Sequence, residues 1–171
     1  MTITLDTVDA THALGEEIGK RLGAGDLVIL SGSLGAGKTT LTKGIAAGMG
    51  VRGLVTSPTF VIARVHHPAG PDRPAVPLVH VDAYRLSGAV ELDDLDLDTD
   101  LEAAAVVIEW GEGVAERLTD DRVTVHLTRL PDDRRTATLT PVGASWGQRA
   151  ADIRAALASR PAAAPSPYGS R

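Results

Sequence analysis

The sequence predicts an α/β fold in three layers, with helices on both faces of a mostly parallel sheet and a β-hairpin near the C-terminus. Three observations carry that expectation. Aliphatic runs at Leu27–Leu30, Leu78–Asp82 and Ala103–Glu109 have the length and composition of strands buried on both faces, and the last two each end in an acid. Segments with apolar residues at helical spacing lie among them. Finally, Gly32 to Thr39 reads Gly-Ser-Leu-Gly-Ala-Gly-Lys-Thr, which fills the pattern G-x-x-x-x-G-K-[ST] between a strand and a helix.

The elements follow in order. Thr2–Leu5 reads as a short first strand, and Thr7–Leu22 as an amphipathic helix using Leu14, Ile18 and Leu22, stopped by Gly23. After the Leu27–Leu30 strand and the glycine-rich loop, Lys38–Met49 carries Leu41, Ile45, Ala46 and Met49 on one helical face. Gly50–Pro58 is a turn-rich connection into a strand starting at Thr59–Ala63, and residues 66–77, with four prolines, read as a loop. Val123–Leu130 and Thr136–Val142 flank Pro131-Asp132-Asp133 as a hairpin, and Trp146–Ala158 reads as a closing helix. Residues 1–159 form the expected single domain. Residues 160–171 are rich in alanine, proline and serine, bury too little apolar surface to offset ordering, and are expected to be a disordered tail.

The glycine-rich loop carries the chemistry. Gly35 and Gly37 let the backbone curl so that successive N–H groups face an anion, and the following helix adds its positive N-terminal field. Lys38 is placed to reach the β- and γ-phosphates, and the Thr39 hydroxyl to ligate the Mg²⁺ between them. The expected architecture is therefore the fold of the P-loop NTPases. Guanine-specific members read their base with Asn-Lys-x-Asp, but this chain has no asparagine, so ATP is the expected nucleotide.

Bulk properties narrow the function. A chain of 171 residues with 43% hydrophobic content suits one domain with a real core, and a net charge of −5 argues against a broad basic face for nucleic acid. Absence of cysteine removes disulfides, thiolate metal sites and cysteine catalysis, and points to the cytoplasm. No signal peptide or membrane segment is expected, because the N-terminus is polar and the longest apolar run is far too short.

Beyond the loop, Asp82 and Glu109 compete as Mg²⁺ partner and as orienter of an attacking water, and spacing leaves that choice open. Ser57-Pro58-Thr59 suits either a γ-phosphate sensor or a plain turn. His80 shares a strand face with Asp82, and a core histidine is the favoured reading. Arg85 is a candidate for transition-state charge. The acidic stretch Glu91–Glu102 reads as a half-buried helix or turn, with a docking face for a basic partner as the alternative. Arg134 and Arg135, at the hairpin turn, either reach the nucleotide or sit in solvent.

Four segments together, Gly32–Thr40, Ser57–Phe60, His80–Leu86 and Ile108–Glu112, resemble the TsaE (YjeE) family in order and spacing, over about residues 5–143. The resemblance implies a small ATPase of P-loop fold that supports N6-threonylcarbamoyladenosine formation in tRNA next to the anticodon. It implies TsaD and TsaB as partners, with tRNA contacted through their complex, and slow hydrolysis by the chain alone. Carried over residue by residue, it makes Lys38 and Asp82 catalytic, and Thr39 and Glu109 the Mg²⁺ contacts. Gly35, Ala36, Gly37, Lys38, Thr39 and Thr40 wrap the phosphates, Thr11 lies near the adenine, and Arg135 approaches from the hairpin. Trp110 sits beside the metal carboxylate. Two positions depart from the family, which usually has aspartate at Ser33 and proline at Gly111; the latter is expected to loosen the chain after Glu109. The alternatives are a P-loop kinase for a small molecule or nucleotide, with Asp82 as base and Arg85 on the transferred phosphate, and a non-catalytic ATP-gated binding module.

Overall fold

The structure, a computed structural model, describes residues 1–51, 55–56, 63–69, 76–85, 95 and 97–160. Ser57–Phe60, residues 91–94 and 96 of the acidic stretch and residues 161–171 of the expected tail lie outside them, as does the Arg85 side chain.

Strands β1 (Thr2–Leu5), β2 (Leu27–Ser31), β3 (Ala63–His66), β4 (Leu78–Asp82), β5 (Ala105–Glu109), β6 (Arg122–Arg129) and β7 (Arg135–Val142) form one sheet in the order β1-β7-β6-β2-β5-β4-β3. The centre, β6-β2-β5-β4, is parallel, and the antiparallel pairs β6–β7, β1–β7 and β3–β4 flank it. The helices are α1 (Val8–Gly19), α2 (Lys38–Gly48), α3 (Leu97–Ala103) and α4 (Trp146–Ala158).

Side-chain alternation divides the core in two. Val28, Leu30, Val107, Val123, Val125 and Leu127 face Leu14, Ile18, Leu41, Ile45, Trp146 and Ile153 of α1, α2 and α4. Leu27, Ile29, Val79, Val81, Val106 and Ile108 face the opposite way, onto Leu97 and Leu101 of α3 and Ala115. Helices thus cover both faces of a sheet whose strands β2 and β5 are buried throughout, giving the α/β fold of the P-loop class expected. Each fully buried leucine or isoleucine contributes about 1.5–3 kcal/mol by leaving water.

Two differences from the expected elements have simple causes. The run beginning at Ala103 becomes a strand only at Ala105, because the Ala104 N–H donates to the Asp100 carbonyl and Ala103 closes α3. Alanine favours a helix end as readily as a strand start. The segment expected to start a loop at residue 66 is instead the last residue of β3, since His66 pairs with Leu78. Arg160, assigned to the tail, reaches back to α1, donating to the Glu16 carboxylate (2.6 Å) and the Ala13 carbonyl (3.3 Å).

The phosphate-loop helix is set by an unusually close neighbour. Helix α1 starts at Thr7, whose hydroxyl accepts from the Ala10 N–H, and runs beside α2 with glycines of both helices at the contact. A Cβ at Gly15 would lie 2.3 Å from the Leu41 carbonyl oxygen; at Gly19, 2.1 Å from that of Ile45; at Gly44, 2.2 Å from that of His12; and at Gly48, 2.3 Å from that of Glu16. The two helices touch backbone to backbone, a separation that any side chain would prevent.

Candidate functional site

Strand β2 ends at Ser31 and the chain turns through Gly32–Gly37 into α2. Gly32 and Gly37 carry the turn at φ 129° and 109°, values that favour glycine. A Cβ at Gly32 would also stand 2.2 Å from the Leu127 carbonyl oxygen on β6. The loop rims a pocket of about 390 Å³ at the carboxyl edge of the sheet, lined by Gly35, Gly37, Lys38, Thr39 and Thr40 together with Asp82, Glu109, Trp110 and Arg135. A more voluminous concavity, about 880 Å³, lies between β1, α1 and α4, but contains no part of the glycine-rich loop.

Register places the two competing acids side by side, since Asp82 of β4 pairs with Glu109 of β5. Their surroundings separate them. Glu109 is 2% exposed; its Oε2 accepts from the Thr39 hydroxyl at 3.2 Å, and its Oε1 lies 3.2 Å from the Thr42 hydroxyl and 2.9 Å from His80 Nε2. Asp82 sits in the pocket wall, with its Oδ1 accepting the Tyr84 N–H at 3.0 Å. Two hard oxygens thus meet at Thr39 and Glu109, 3.2 Å apart. That spacing is close to the roughly 3 Å between adjacent ligands of an octahedral Mg²⁺ with bonds of about 2.1 Å, so this pair fits the ion.

Lys38 lies across the loop, donating from Nζ to the carbonyls of Gly32 (2.7 Å) and Ser33 (2.9 Å), with the ammonium 3.6 Å from the centre of the Trp110 ring. Burial pushes its pKa down, and the nearby Glu109 and Asp82 carboxylates oppose that push. The ammonium is therefore held by groups that a phosphate can replace. Trp110 adopts φ 62°, rare for a bulky residue, and packs against Tyr84 with ring centres 4.9 Å apart.

The hairpin arginines divide. Arg135 brings its Cδ and Nε to 3.4 Å from the Cβ position of Gly37 and lines the pocket. Arg134 points away, onto Asp132 and Asp6. Thr11 is 1% exposed; its methyl lies 3.6 Å from the Cβ position of Gly37, and its hydroxyl donates to the Thr7 carbonyl at 3.3 Å. It stands beside the open face of Gly37 and does not line the pocket. Gly111, expected to loosen the chain, sits in a closed position, where a Cβ would meet Ile108 Cγ2 at 2.8 Å.

Three neighbours are absent from the site residues expected from sequence, among them His80, read there as a core histidine. Thr42 lies one helical turn beyond Lys38, so the signal was its i+4 spacing on α2. His80 shares its strand face with Asp82, yet its bond to Glu109 depends on the neighbouring strand. His126 Nδ1 lies 2.8 Å from the Ser31 hydroxyl at the start of the loop, a contact made by the β2–β6 register alone. Among the described residues no helix is long and apolar enough to cross a membrane.

The family described as threonylcarbamoyl adenosine biosynthesis protein TsaE matches residues 5–137. A Streptomyces coelicolor tRNA threonylcarbamoyladenosine biosynthesis protein TsaE is 57% identical over 138 residues, covering 78% of this chain and 91% of that protein. The Bacillus subtilis protein of the same description is 40% identical over 120 residues, covering 70% and 72% respectively. A crystal structure of Bacillus subtilis YdiB superposes with a TM-score of 0.71 at 28% identity, over 91% of this chain and 95% of that one. With the family matched over residues 5–137 and relatives at 57% and 40% identity, the chain belongs to the TsaE family.

Proposed function

We propose that this chain is a Mg²⁺-dependent ATPase of the cytoplasm that serves N6-threonylcarbamoyladenosine formation in tRNA next to the anticodon, working with TsaD and TsaB and meeting tRNA through their complex. The names of its relatives support the modification. The observation that carries the ATPase reading is the oxygen pair of Thr39 and Glu109 beside the phosphate loop, with Lys38 and Asp82 facing the same pocket.

In this reading the N–H groups of Gly35–Thr40 hold the phosphate chain against the N-terminus of α2, and Lys38 leaves the loop carbonyls to neutralise the β- and γ-phosphates. Thr39 and Glu109 hold the Mg²⁺, which supplies charge neutralisation across those phosphates when bound. Asp82, at the neighbouring strand end and in the pocket wall, orients the attacking water. Arg135 adds positive charge from the hairpin side. Thr11 acts by packing on Gly37 at the adenine side of the loop. Positioning and charge neutralisation supply the catalysis in this reading, and turnover by the chain alone is slow until the partner complex stimulates it.

The test is Mg²⁺-dependent ATP hydrolysis by the purified protein while a TsaD–TsaB complex is titrated in, with Lys38→Ala as control. A saturable rise in the wild type, absent from the control, is expected. A flat titration, with turnover only on adding a small hydroxyl acceptor, would replace this reading by that of a kinase.

A further inference from the structure

Strand β4 reads Leu-Val-His-Val-Asp, and its third residue is fully buried among aliphatic neighbours. A leucine there would continue the apolar run, whereas a buried imidazole has to recover the hydration it loses. His80 recovers it at one place, Glu109 Oε1, 2.9 Å from Nε2. Its other nitrogen, Nδ1, is buried with no hydrogen-bond partner among the described residues. The ring of His66, 6.4 Å away and tilted by 33°, packs beside it. The imidazole does not line the pocket, so it cannot touch a nucleotide.

The carboxylate it holds is the one assigned to the cation. A glutamate side chain has three rotatable bonds, and the last is broad and twofold, so nothing intrinsic distinguishes its two oxygens. Here they are made unequal. His80 and Thr42 lie against Oε1, while Oε2 faces Thr39. Because the acceptor is a carboxylate, Nε2 is the nitrogen that donates, and the bond is charge-assisted.

We infer that His80 is a positioning residue for the cation site: by holding Glu109 Oε1 from the buried side, it presents Oε2 to the place beside Thr39 where Mg²⁺ is held. The inference rests on the proposed Mg²⁺–nucleotide reading and extends it to a residue that touches neither ion nor nucleotide. Hydrogen bonds to a ligating carboxylate carry about 10–100-fold in metal affinity.

The experiment uses Mn²⁺ as the metal probe and ADP as the nucleotide. Mn²⁺ affinity of the protein–ADP complex is read by electron paramagnetic resonance, and metal-free ADP affinity by calorimetry, for the wild type, His80→Leu, His80→Gln and His80→Asn. His80→Leu is expected to lose about tenfold or more in Mn²⁺ affinity, with metal-free ADP binding unchanged. His80→Gln, whose amide N–H extends to the position of Nε2, should recover most of that loss, and the shorter His80→Asn should not. A general structural role would instead lower ADP affinity without metal and would not separate Gln from Asn. Wild-type Mn²⁺ affinity in folded His80→Leu, or equal affinities for the Gln and Asn variants should His80→Leu fail to fold, overturns the inference. A wild type that binds ADP but no Mn²⁺ overturns the reading beneath it as well.

Discussion

The seam between α1 and α2 and the carboxyl edge of the sheet both fix the same phosphate-loop helix, by opposite means. At the seam there is nothing to adjust, because Gly15, Gly19, Gly44 and Gly48 bring backbone against backbone, each with a carbonyl oxygen where a Cβ would go. At the edge almost everything is adjustable. Lys38 rests on two carbonyls and an indole, and Glu109 is shared among His80, Thr39 and Thr42. The difference separates stability from function. On the proposed reading, a site that exchanges partners when a nucleotide arrives needs polar groups that hold one another only until then, and it needs a base that does not move while they do.

Substitutions on either side should therefore fail differently. Glu109→Gln takes charge from the edge and leaves the seam intact; Mg²⁺-dependent ATP turnover should fall by about 10²–10³-fold, or roughly 3–4 kcal/mol of barrier, with the thermal midpoint nearly unchanged. Kinetics and calorimetry on one preparation check both halves. Gly44→Ala does the reverse: with a carbonyl oxygen 2.2 Å from the new methyl, the helices must part. A loss of about 3 kcal/mol is expected, lowering the midpoint by roughly 6–12 °C. Full stability in that variant would show the seam to be looser than its geometry.

Away from both regions, Arg149 of α4 donates to both carboxylate oxygens of Asp26 at 2.7 Å, and Asp26 also caps the Gly23 N–H. Arg149→Ala should cost about 1–2 kcal/mol, read by urea unfolding, without altering nucleotide affinity. The smallest effect concerns Glu17 on α1. Its burial acts to raise the carboxyl pKa, but hydrogen bonds and charge from Lys20 and Arg21 outweigh it and hold the pKa below the usual range. A carboxyl depressed in the folded state stabilises above its unfolded pKa, and that contribution is lost as pH falls through the folded value. Glu17→Gln should therefore be less stable than the wild type at neutral pH and converge with it as the pH falls below the ordinary range of glutamate titration. Thermal midpoints across that range test the convergence.

How much of this was legible in the residues depended on whether the information was contiguous. The phosphate loop and its flanking strand and helix read directly, because pattern and structure share one segment. Asp82 and Glu109 were visible as acids ending strands, but the difference between them was not, since it arises where β5 lies against α2 and β4 supplies His80. On their residues alone Arg134 and Arg135 were equivalent, and only the resemblance chose Arg135; the fold separates them by setting Arg135 beside Gly37 and Arg134 against Asp6. The seam, by contrast, left a signal that went unread: Gly15 and Gly19, like Gly44 and Gly48, stand four residues apart, one helical turn. Glycine at that spacing in paired helices marks a close approach.

The seam also orders events in time. Both of its helices are complete by Gly48, whereas β2, which carries the loop, finds its neighbours only in β5 and β6, and β1 waits for β7, with Thr2 opposite Thr138. Contacts between nearby segments close small loops, and those between distant ones come at greater entropic cost. During synthesis the two glycine-lined helices emerge first and can dock while the rest of the sheet is still unmade. The helix behind the proposed nucleotide cradle is in this sense older, in the life of each molecule, than the strands that will bring it its acids.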